Sequence, residues 1–544
     1  MTVTLKSREI QKLVELASES ARQDLSKESR YIDFDNNVAS LAVKRHTVVF
    51  GRRGSGKTTL LKQLRNSKKG DSEVIWVDSD VYKNLTFPDT LIEVFRSLVD
   101  ELQKLLKKNA PWWSAVVGCN HKLVKRLAKQ SKFLNDLKTR FDHAVVTVTN
   151  ESSSMTADKG DVGIAAGSIR AGVGSAQSEA SRTVRTAAGP QAKVGEIDRS
   201  LKDLKDLVSD TVRVINKVVF VVMDDFYHLR VNDQAQVLDY MSRLLKNTNC
   251  YLKVSTITHR SRLYRAGETL DGLQLGHDAN DINLDRSFKN FQSVDNFLTQ
   301  FWQELYKNVG SGDEATALFA GDSWHQLVLA SGGVPRDLMN IFTKAVEVGN
   351  LKGKDKFDKT LISEAASLYF RESKQQDLVH DAGHDTSMPD KLLKDLISFC
   401  VKEKKKNVFL IWTDDLDAHA NALEWLRQLC DFRLIHEVHE NTSSSFESGK
   451  RFRAYLLDVG IYAYPPRRKS NRVEEVEFWE KDEKHRMTAL QNSPIYKLKK
   501  DYASVEGGGF ELVKTLAAED ENIDSSQSAV SRKDKPSEQT LLDI

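Results

Sequence analysis

The chain has 544 residues, 40% hydrophobic and 29% charged, with 80 basic against 77 acidic residues and a net charge of +3. This composition excludes a fibrous or wholly disordered polymer. The near-balance of charge also excludes a uniformly basic protein, so any nucleic-acid contact must come from a local patch.

At roughly 100–200 residues per domain, the length predicts three or four domains. The four cysteines, Cys119, Cys250, Cys400 and Cys430, do not fall at zinc-ligand or redox spacing. They are expected to be reduced thiols. The opening residues Met1-Thr2-Val3-Thr4-Leu5-Lys6 carry no apolar leader. Nowhere does the sequence hold the ~18 consecutive apolar residues of a spanning helix. A cytoplasmic protein without membrane contact is therefore expected.

In chain order, residues 1–30 read as a polar N-terminal helical segment, with Ile10, Leu13, Val14 and Leu16 spaced for one apolar face. A short apolar strand follows at Thr47–Phe50, then a helix from Lys57 with Leu60, Leu61 and Leu64. The next strand is Val74–Asp78. Asn84–Lys108 is predicted as a long amphipathic helix through Leu91, Val94, Phe95, Leu98, Leu102, Leu105 and Leu106.

Residues 111–215 read as an insertion. A basic helix is expected over Lys122–Arg140. Ala144–Thr149 alternates like a strand. Ser152–Gly195 is rich in Gly, Ala and Ser and reads either as a flexible surface loop or as a β-hairpin that orders on assembly. An amphipathic helix near Ile197–Val214 closes the insertion.

A strongly apolar strand, Lys217–Met223, then ends in Asp224-Asp225. A helix with Val237, Leu238, Met241, Leu244 and Leu245 leads to the strand Tyr251–Thr258, which ends in His259-Arg260. Helices are expected at Val294–Lys307, Glu314–Ala330 and Arg336–Val348. Strand–helix alternation followed by a helical block predicts an α/β domain with a small helical lid.

Residues 388–465 read as a separate unit. Lys391–Glu403 and Leu416–Cys430 are expected helices around the extended segment Val408–Trp412, and Phe432–His439 and Arg451–Leu457 as paired strands. Helices followed by a two-stranded hairpin suggest a winged helix-turn-helix. Residues 466–544 read as a linker and a tail, polar from about Ala517 and expected to be disordered.

One motif carries chemistry. Gly51-Arg52-Arg53-Gly54-Ser55-Gly56-Lys57-Thr58-Thr59 fits the full P-loop pattern, directly after an apolar strand and at the start of a helix. Its glycines turn backbone N–H groups toward phosphate, and the helix N-terminus adds a positive dipole. Lys57 is expected to reach the β- and γ-phosphates, and the Thr58 hydroxyl to hold Mg²⁺. Asp224, at the tip of a buried strand, is the expected Mg²⁺ partner, and Asp225 the residue that orients or activates the attacking water. Thr58 and Asp224 are thus the expected metal residues, and Lys57, Asp224 and Asp225 the catalytic ones. The strand end at Thr258 or Arg260 is a candidate sensor of the γ-phosphate. Gly332-Gly333-Val334-Pro335-Arg336-Asp337 starts a lid helix with proline in its first turn, and Arg336 is a candidate nucleotide contact.

On these segments, residues 31–350 resemble the AAA+/STAND group of ATPases, nearest the origin-recognition type. Phe50–Thr59, Val218–Phe226, Val254–Arg260 and Gly333–Arg336 match its Walker A, Walker B, sensor 1 and sensor 2. A winged helix after the lid extends the match to about residue 465. The resemblance implies an α/β P-loop parallel sheet at 31–290, a helical lid at 291–375 and a winged helix at 388–465. It implies ATP and Mg²⁺ as cofactors and an arginine finger from a neighbouring subunit, with Arg260, Arg262 and Arg265 as candidates.

Origin-recognition proteins usually end Walker B in Asp-Glu, whereas this chain has Asp224-Asp225. Aspartate is one methylene shorter, so slow hydrolysis and a switch-like use of ATP are expected. The first functional expectation is an ATP-dependent homo-oligomer that recruits a protein effector, as such switches do in bacterial anti-phage defence. The second is a replication or partition ATPase bound to duplex DNA. Against it, helix Leu416–Cys430 carries only Arg427 as a base beside Asp415, Asp417 and Glu424; in its favour stand the basic residues Lys450, Arg451, Arg453, Arg467, Arg468, Lys469 and Arg472. The third is a non-hydrolysing scaffold in which ATP is structural.

Overall fold

The computed structural model describes residues 5–21, 31–67, 70–109, 119–154, 170–266, 270–309, 317–374, 387–463, 472–480 and 482–499. The expected disordered tail and the basic residues Arg467, Arg468 and Lys469 lie outside them. The chain divides into two units, residues 33–284 and residues 1–32 with 285–544.

The unit at 33–284 is built on a five-stranded parallel sheet. Its strands are β1 (His46–Phe50), β2 (Ser72–Asp78), β3 (Val218–Asp224), β4 (Cys250–Thr256) and β7 (Ala279–Asn283), in the spatial order β2-β3-β4-β1-β7. A two-stranded ribbon of β5 (Tyr264–Ala266) and β6 (Leu270–Gly272) stands apart from it. The central strands β1, β3 and β4 are almost wholly buried. This is why they read as unbroken apolar runs: a parallel sheet is covered on both faces. The edge strand β7, Ala-Asn-Asp-Ile-Asn, has no such run and was not expected from sequence. Its backbone ladder with β1 places it.

Four helices matter for the site and its surroundings: α3 (Lys57–Ser67), α4 (Asp89–Asn109), α6 (Arg170–Ile215) and α7 (Val231–Leu245); α1 (Arg8–Ala21) and α2 (Asn37–Leu41) precede them and α5 (Cys119–Ser154) lies between α4 and α6. Two of the sequence expectations are corrected in α5 and α6. Ala144–Thr149 is helical rather than a strand, because it continues a helix already formed over the preceding residues, and extending a helix is easier than starting a new element. The part of the Gly/Ala/Ser-rich stretch from Arg170 onward is also helical, neither loop nor hairpin. Alanine, glutamate, glutamine and arginine between its glycines are strong helix formers. Residues 155–169 of that stretch lie outside the described residues.

The inner half of this helical pair packs on α4. Leu123, Leu127, Leu134 and Leu137 of α5 and Ile197, Leu204 and Val208 of α6 join the core of the sheet. Polar ties fix the same contact: Lys193 to Asp89 at 2.9 Å and Lys138 to Glu93 at 2.6 Å.

At the lower end of the sheet, Lys253 is fully buried on β4. Its ammonium donates to the Val43 carbonyl (2.9 Å), the Arg45 carbonyl (2.8 Å) and the Thr47 hydroxyl (2.9 Å). Beside it, His46 Nδ1 accepts from the Leu252 N–H at 2.9 Å. Burial first, and the neighbouring Lys253 charge second, push the His46 pKa down to about 4. The unfolded chain then protonates at about 6.5 while the folded one stays neutral. Stability is full above that value and falls as pH drops toward 4. Lowering pH from 7.5 to 4.5 should cost about 2–3 kcal/mol through this residue alone. Urea unfolding of the parent and of His46→Gln at both pH values would check it: the variant should lose that part of the pH slope, and equal slopes would remove His46 as the cause.

The other unit has one continuous core. It gathers α1, the lid helices α8 (Phe291–Asn308), α9 (Ser323–Ala330), α10 (Pro335–Leu351) and α11 (Lys359–Tyr369), and the module from residue 387 onward. That module runs α12 (Ser387–Ile397), β8 (Val408–Trp412), α13 (Thr413–Ala418), α14 (Ala420–Asp431), β9 (Ile435–Thr442) and β10 (Phe452–Leu457). The expected helix Leu416–Cys430 is two helices, parted at His419. The extended segment at 408–412 is the third strand of an antiparallel sheet in the order β8-β10-β9.

Candidate nucleotide site

The site assembles at the upper ends of β1, β3 and β4. Chain direction explains this: in a parallel sheet all strands finish at the same edge, so the loops after β1, β3 and β4 must meet. The Gly51 N–H donates to the Thr256 carbonyl at 3.1 Å, and the Leu284 N–H donates to the Phe50 carbonyl at 2.9 Å, which pins the loop to its neighbours.

Gly54 and Gly56 have φ of 88° and 95°. Glycine adopts that region without the penalty other residues carry. Gly51 is close-packed instead: a β-carbon there would displace the Ser55 hydroxyl and press on the side chains of Ser55 and Leu284. The loop thus forms a tight turn that delivers the chain to the N-terminus of α3, where free N–H groups and the helix dipole favour an anion.

Lys57 is buried. Its ammonium donates to the Gly51 carbonyl at 2.6 Å and the Arg52 carbonyl at 3.2 Å, so it arches back over the loop. Arg52, Arg53, Ser55, Thr58 and Thr59 are half-buried around it.

Asp224 ends β3 with 5% of its surface exposed. Its carboxylate accepts hydrogen bonds from the hydroxyls of Ser255 and Thr58 and, at 3.1 Å, from the Asp225 N–H. Burial first, then the adjacent Asp225 charge, push its pKa up to about 6, against the pull of Ser255, Thr58 and Lys57. Asp225 follows with φ of 49°, a left-handed conformation that Asp tolerates better than most residues. The same N–H reaches the Ser255 hydroxyl at 2.9 Å. Ser255 was not expected from sequence. On paper it is one small residue in an apolar strand; only the pairing of β3 with β4 brings it to Asp224.

The turn after β4, Thr258–Arg260, is held by Gln234 of α7, which is fully buried. Its side-chain amide donates to the carbonyls of Leu229 (2.9 Å) and Arg260 (3.2 Å), and its oxygen accepts from the Arg262 N–H at 2.7 Å. Thr258 is exposed and Arg260 half-buried; Arg262 and Arg265 are exposed. The Arg260 guanidinium carbon and the Lys57 ammonium each lie 5.9 Å from the centroid of the Tyr227 ring. Gln234 and Tyr227 were also missed. Arg336 is half-buried in the first turn of α10, in the other unit.

These residues fit a magnesium–triphosphate. The buried Ser55 hydroxyl oxygen has no hydrogen-bond partner, as a donor waiting for a phosphate oxygen would have none. Thr58 and Asp224 bring an alcohol and a carboxylate together, the hard oxygen ligands Mg²⁺ accepts alongside water and phosphate. The raised Asp224 pKa marks a buried carboxylate that a cation would relieve.

The same carboxylate yields a prediction. Its folded pKa lies above the unfolded value, so its ionisation opposes folding as pH rises from about 4 to 6. Asp224→Asn should therefore stabilise the nucleotide-free protein at pH 7.5, by on the order of 1–2 kcal/mol, and remove its response to Mg²⁺. Thermal melts with and without Mg-ATP would show this; a variant melting lower than the parent would mean the carboxylate is not strained by burial.

No family model matches the chain, and no curated protein sequence matches it. Among solved structures it is similar to the ORC2 protein of Aeropyrum pernix, at 12% identity over 85% of this chain and 93% of that chain, with a TM-score of 0.33. It is also similar to Cdc6p of Pyrobaculum aerophilum, at 10% identity over 81% and 94% with a TM-score of 0.32. A Walker-type ATPase of Pyrococcus abyssi matches at 13% identity over 81% and 98%, with a TM-score of 0.37. At such scores the nucleotide site stands on this chain's own geometry. Among the described residues no helix is long and apolar enough to cross a membrane, and no three His, Cys, Asp or Glu side chains cluster for a metal.

Proposed function

We propose that this chain is a Mg-ATP-binding, slowly hydrolysing ATPase of the AAA+/STAND type, whose nucleotide state controls its assembly and its hold on a protein partner. The observation that carries this reading is the Thr58–Asp224 contact, which joins the P-loop helix to the acidic strand across the intervening β4. The loop N–H groups and Lys57 bind and orient the phosphates. Thr58 and Asp224 hold Mg²⁺, which when bound neutralises charge on the phosphate oxygens. Asp225 orients the attacking water. Its side chain is one methylene shorter than that of glutamate, which favours slow turnover. Arg336 reports the nucleotide to the lid, and Arg262 and Arg265 are exposed enough to act on a neighbouring subunit.

The order α12-β8-α13-α14-β9-β10 with β8 beside β10 supports a winged helix at 388–465. Its chemistry favours a protein partner over DNA. Arg427, the one basic residue of α14, stands 3.9 Å from Glu424, and Lys450 of the hairpin loop packs over the Trp412 ring at 4.0 Å and pairs with Glu447. A second reading, duplex binding, rests on Arg451 and the basic residues after it.

Mass photometry without nucleotide, with ADP and with ATP, each with and without duplex DNA, tests both. A defined oligomer only with ATP is the expected result. A monomer under every condition sinks the switch, and tight salt-dependent duplex binding would move the reading to the second function.

A further inference from the structure

Gln234 is fully buried on the face of α7 that also buries Ala235, Val237, Leu238 and Met241. A side-chain amide in such surroundings is costly unless its hydrogen bonds are made. Here the nitrogen donates twice and the oxygen accepts once, and every partner is backbone: the Leu229 carbonyl (2.9 Å), the Arg260 carbonyl (3.2 Å) and the Arg262 N–H (2.7 Å). These groups belong to two different turns. Leu229 closes the turn that begins at Asp225, in which the His228 N–H donates to the Asp225 carbonyl at 3.0 Å and the Leu229 N–H to the Phe226 carbonyl at 3.1 Å. Arg260 and Arg262 lie in the segment after β4, whose last residues already serve the site: Ser255 holds Asp224, and the Thr256 carbonyl holds the Gly51 N–H. The ladder between β3 and β4 ends at Met223 and Val254. Beyond it, Gln234 clamps the two turns to one another.

We propose that Gln234 is a positioning residue for ATP hydrolysis: it fixes the turn after β4 against the turn that starts at Asp225, so that the two sides of the terminal-phosphate site stay in register. This deepens the proposed function and rests on it. None of the three bonds reaches the P-loop. Lys57, Thr58 and the loop N–H groups therefore bind nucleotide without the clamp. Hydrolysis is more demanding. The group that orients water and the groups after β4 come from separate stretches of chain, and a misplacement of about 1 Å can cost about 100-fold in rate. The bonds to Arg260 and Arg262 are only partly buried, so water can replace them when the amide is removed and the fold survives. The clamp holds main chain alone, so its action does not depend on which side chain of that segment meets phosphate.

Steady-state ATP turnover, with calorimetric titration of Mg-ADP and Mg-AMP-PNP, tests this on the full chain. Gln234→Met matches the side chain in length and makes none of the bonds. It should lower kcat about 10- to 100-fold while KM and both affinities stay within about twofold of the parent. Gln234→Glu is the conservative variant. Burial raises the pKa of its carboxyl, and the protonated form can accept from the Arg262 N–H and donate once. Its kcat should lie between those of the parent and Gln234→Met, and fall as rising pH ionises the carboxyl, a step the parent lacks. Unchanged ADP affinity certifies that each variant is folded. An unchanged kcat in Gln234→Met, an equal loss of ADP affinity and turnover in both variants, or a Gln234→Glu that matches the parent at every pH would overturn the inference. A parent that binds nucleotide without turning it over, or binds none, would instead overturn the proposed function itself.

Discussion

Lys57→Ala is expected to abolish nucleotide binding while leaving the fold intact. Lys57 is buried at the head of α3, and its ammonium lies back over the loop. A charge-assisted hydrogen bond contributes about 1.5–3 kcal/mol, and Lys57 is placed to make more than one to phosphate. Its loss should lower affinity by at least about 100-fold. The fold should survive the loss, since in the free protein the ammonium donates to the carbonyls of Gly51 and Arg52, which water can reach once the long side chain is gone. Thermal melts give a direct readout. Ligand at 100 times its Kd should stabilise the parent by about 2.7 kcal/mol, and the variant should show no shift. An undiminished shift would place the nucleotide elsewhere. The variant also separates the switch from the scaffold: if it still assembles as the parent does with ATP, nucleotide is not the trigger.

The parts of this site that could be read from sequence are those whose chemistry is local. The P-loop is a contiguous pattern, and Asp224 ends an apolar run of a length that only a buried strand explains. The parts that could not be read are set by pairing between distant segments. Ser255 matters because β4 lies beside β3, and Gln234 because the turns after β3 and β4 meet at one edge. Neither has a signature of its own. Strand β7 escaped for the same reason: its residues are polar, and it exists through its ladder to β1. The insertion misled in the opposite direction. Ala144–Thr149 has the alternation and branching of a strand, but the helix that precedes it carries on through it. Continuity of the helix outweighed a six-residue pattern. In the C-terminal module the helices and hairpin were legible from apolar spacing, while the break at His419 and the membership of β8 in the sheet depended on packing.

The second large effect is expected far from any phosphate, at Arg433. Sequence reading left this residue as one of a strand. The structure places it just before β9 with a φ of 60°, its side chain buried against the lid. Its guanidinium meets both carboxylate oxygens of Asp337 at 2.6 Å, and the Tyr369 hydroxyl, itself held by Asn340, donates to the same carboxylate at 3.0 Å. Asp337 is fully buried in the first turn of α10, where the helix dipole also favours an anion. Removing the arginine leaves a buried carboxylate with a neutral partner only. Arg433→Met should therefore destabilise the unit that contains it by about 3–5 kcal/mol. Replacing both partners, as in Arg433→Met/Asp337→Leu, removes the stranded charge and should recover more than half of that loss, because a buried pair contributes little beyond an apolar pair of similar volume. Urea unfolding of the three proteins measures both numbers. A single variant that loses under about 1 kcal/mol would mean that water reaches the carboxylate. A double variant no better than the single would mean that the pair is needed for its shape and not merely for neutrality. The Arg433 contact also ties the first turn of α10 to the C-terminal module.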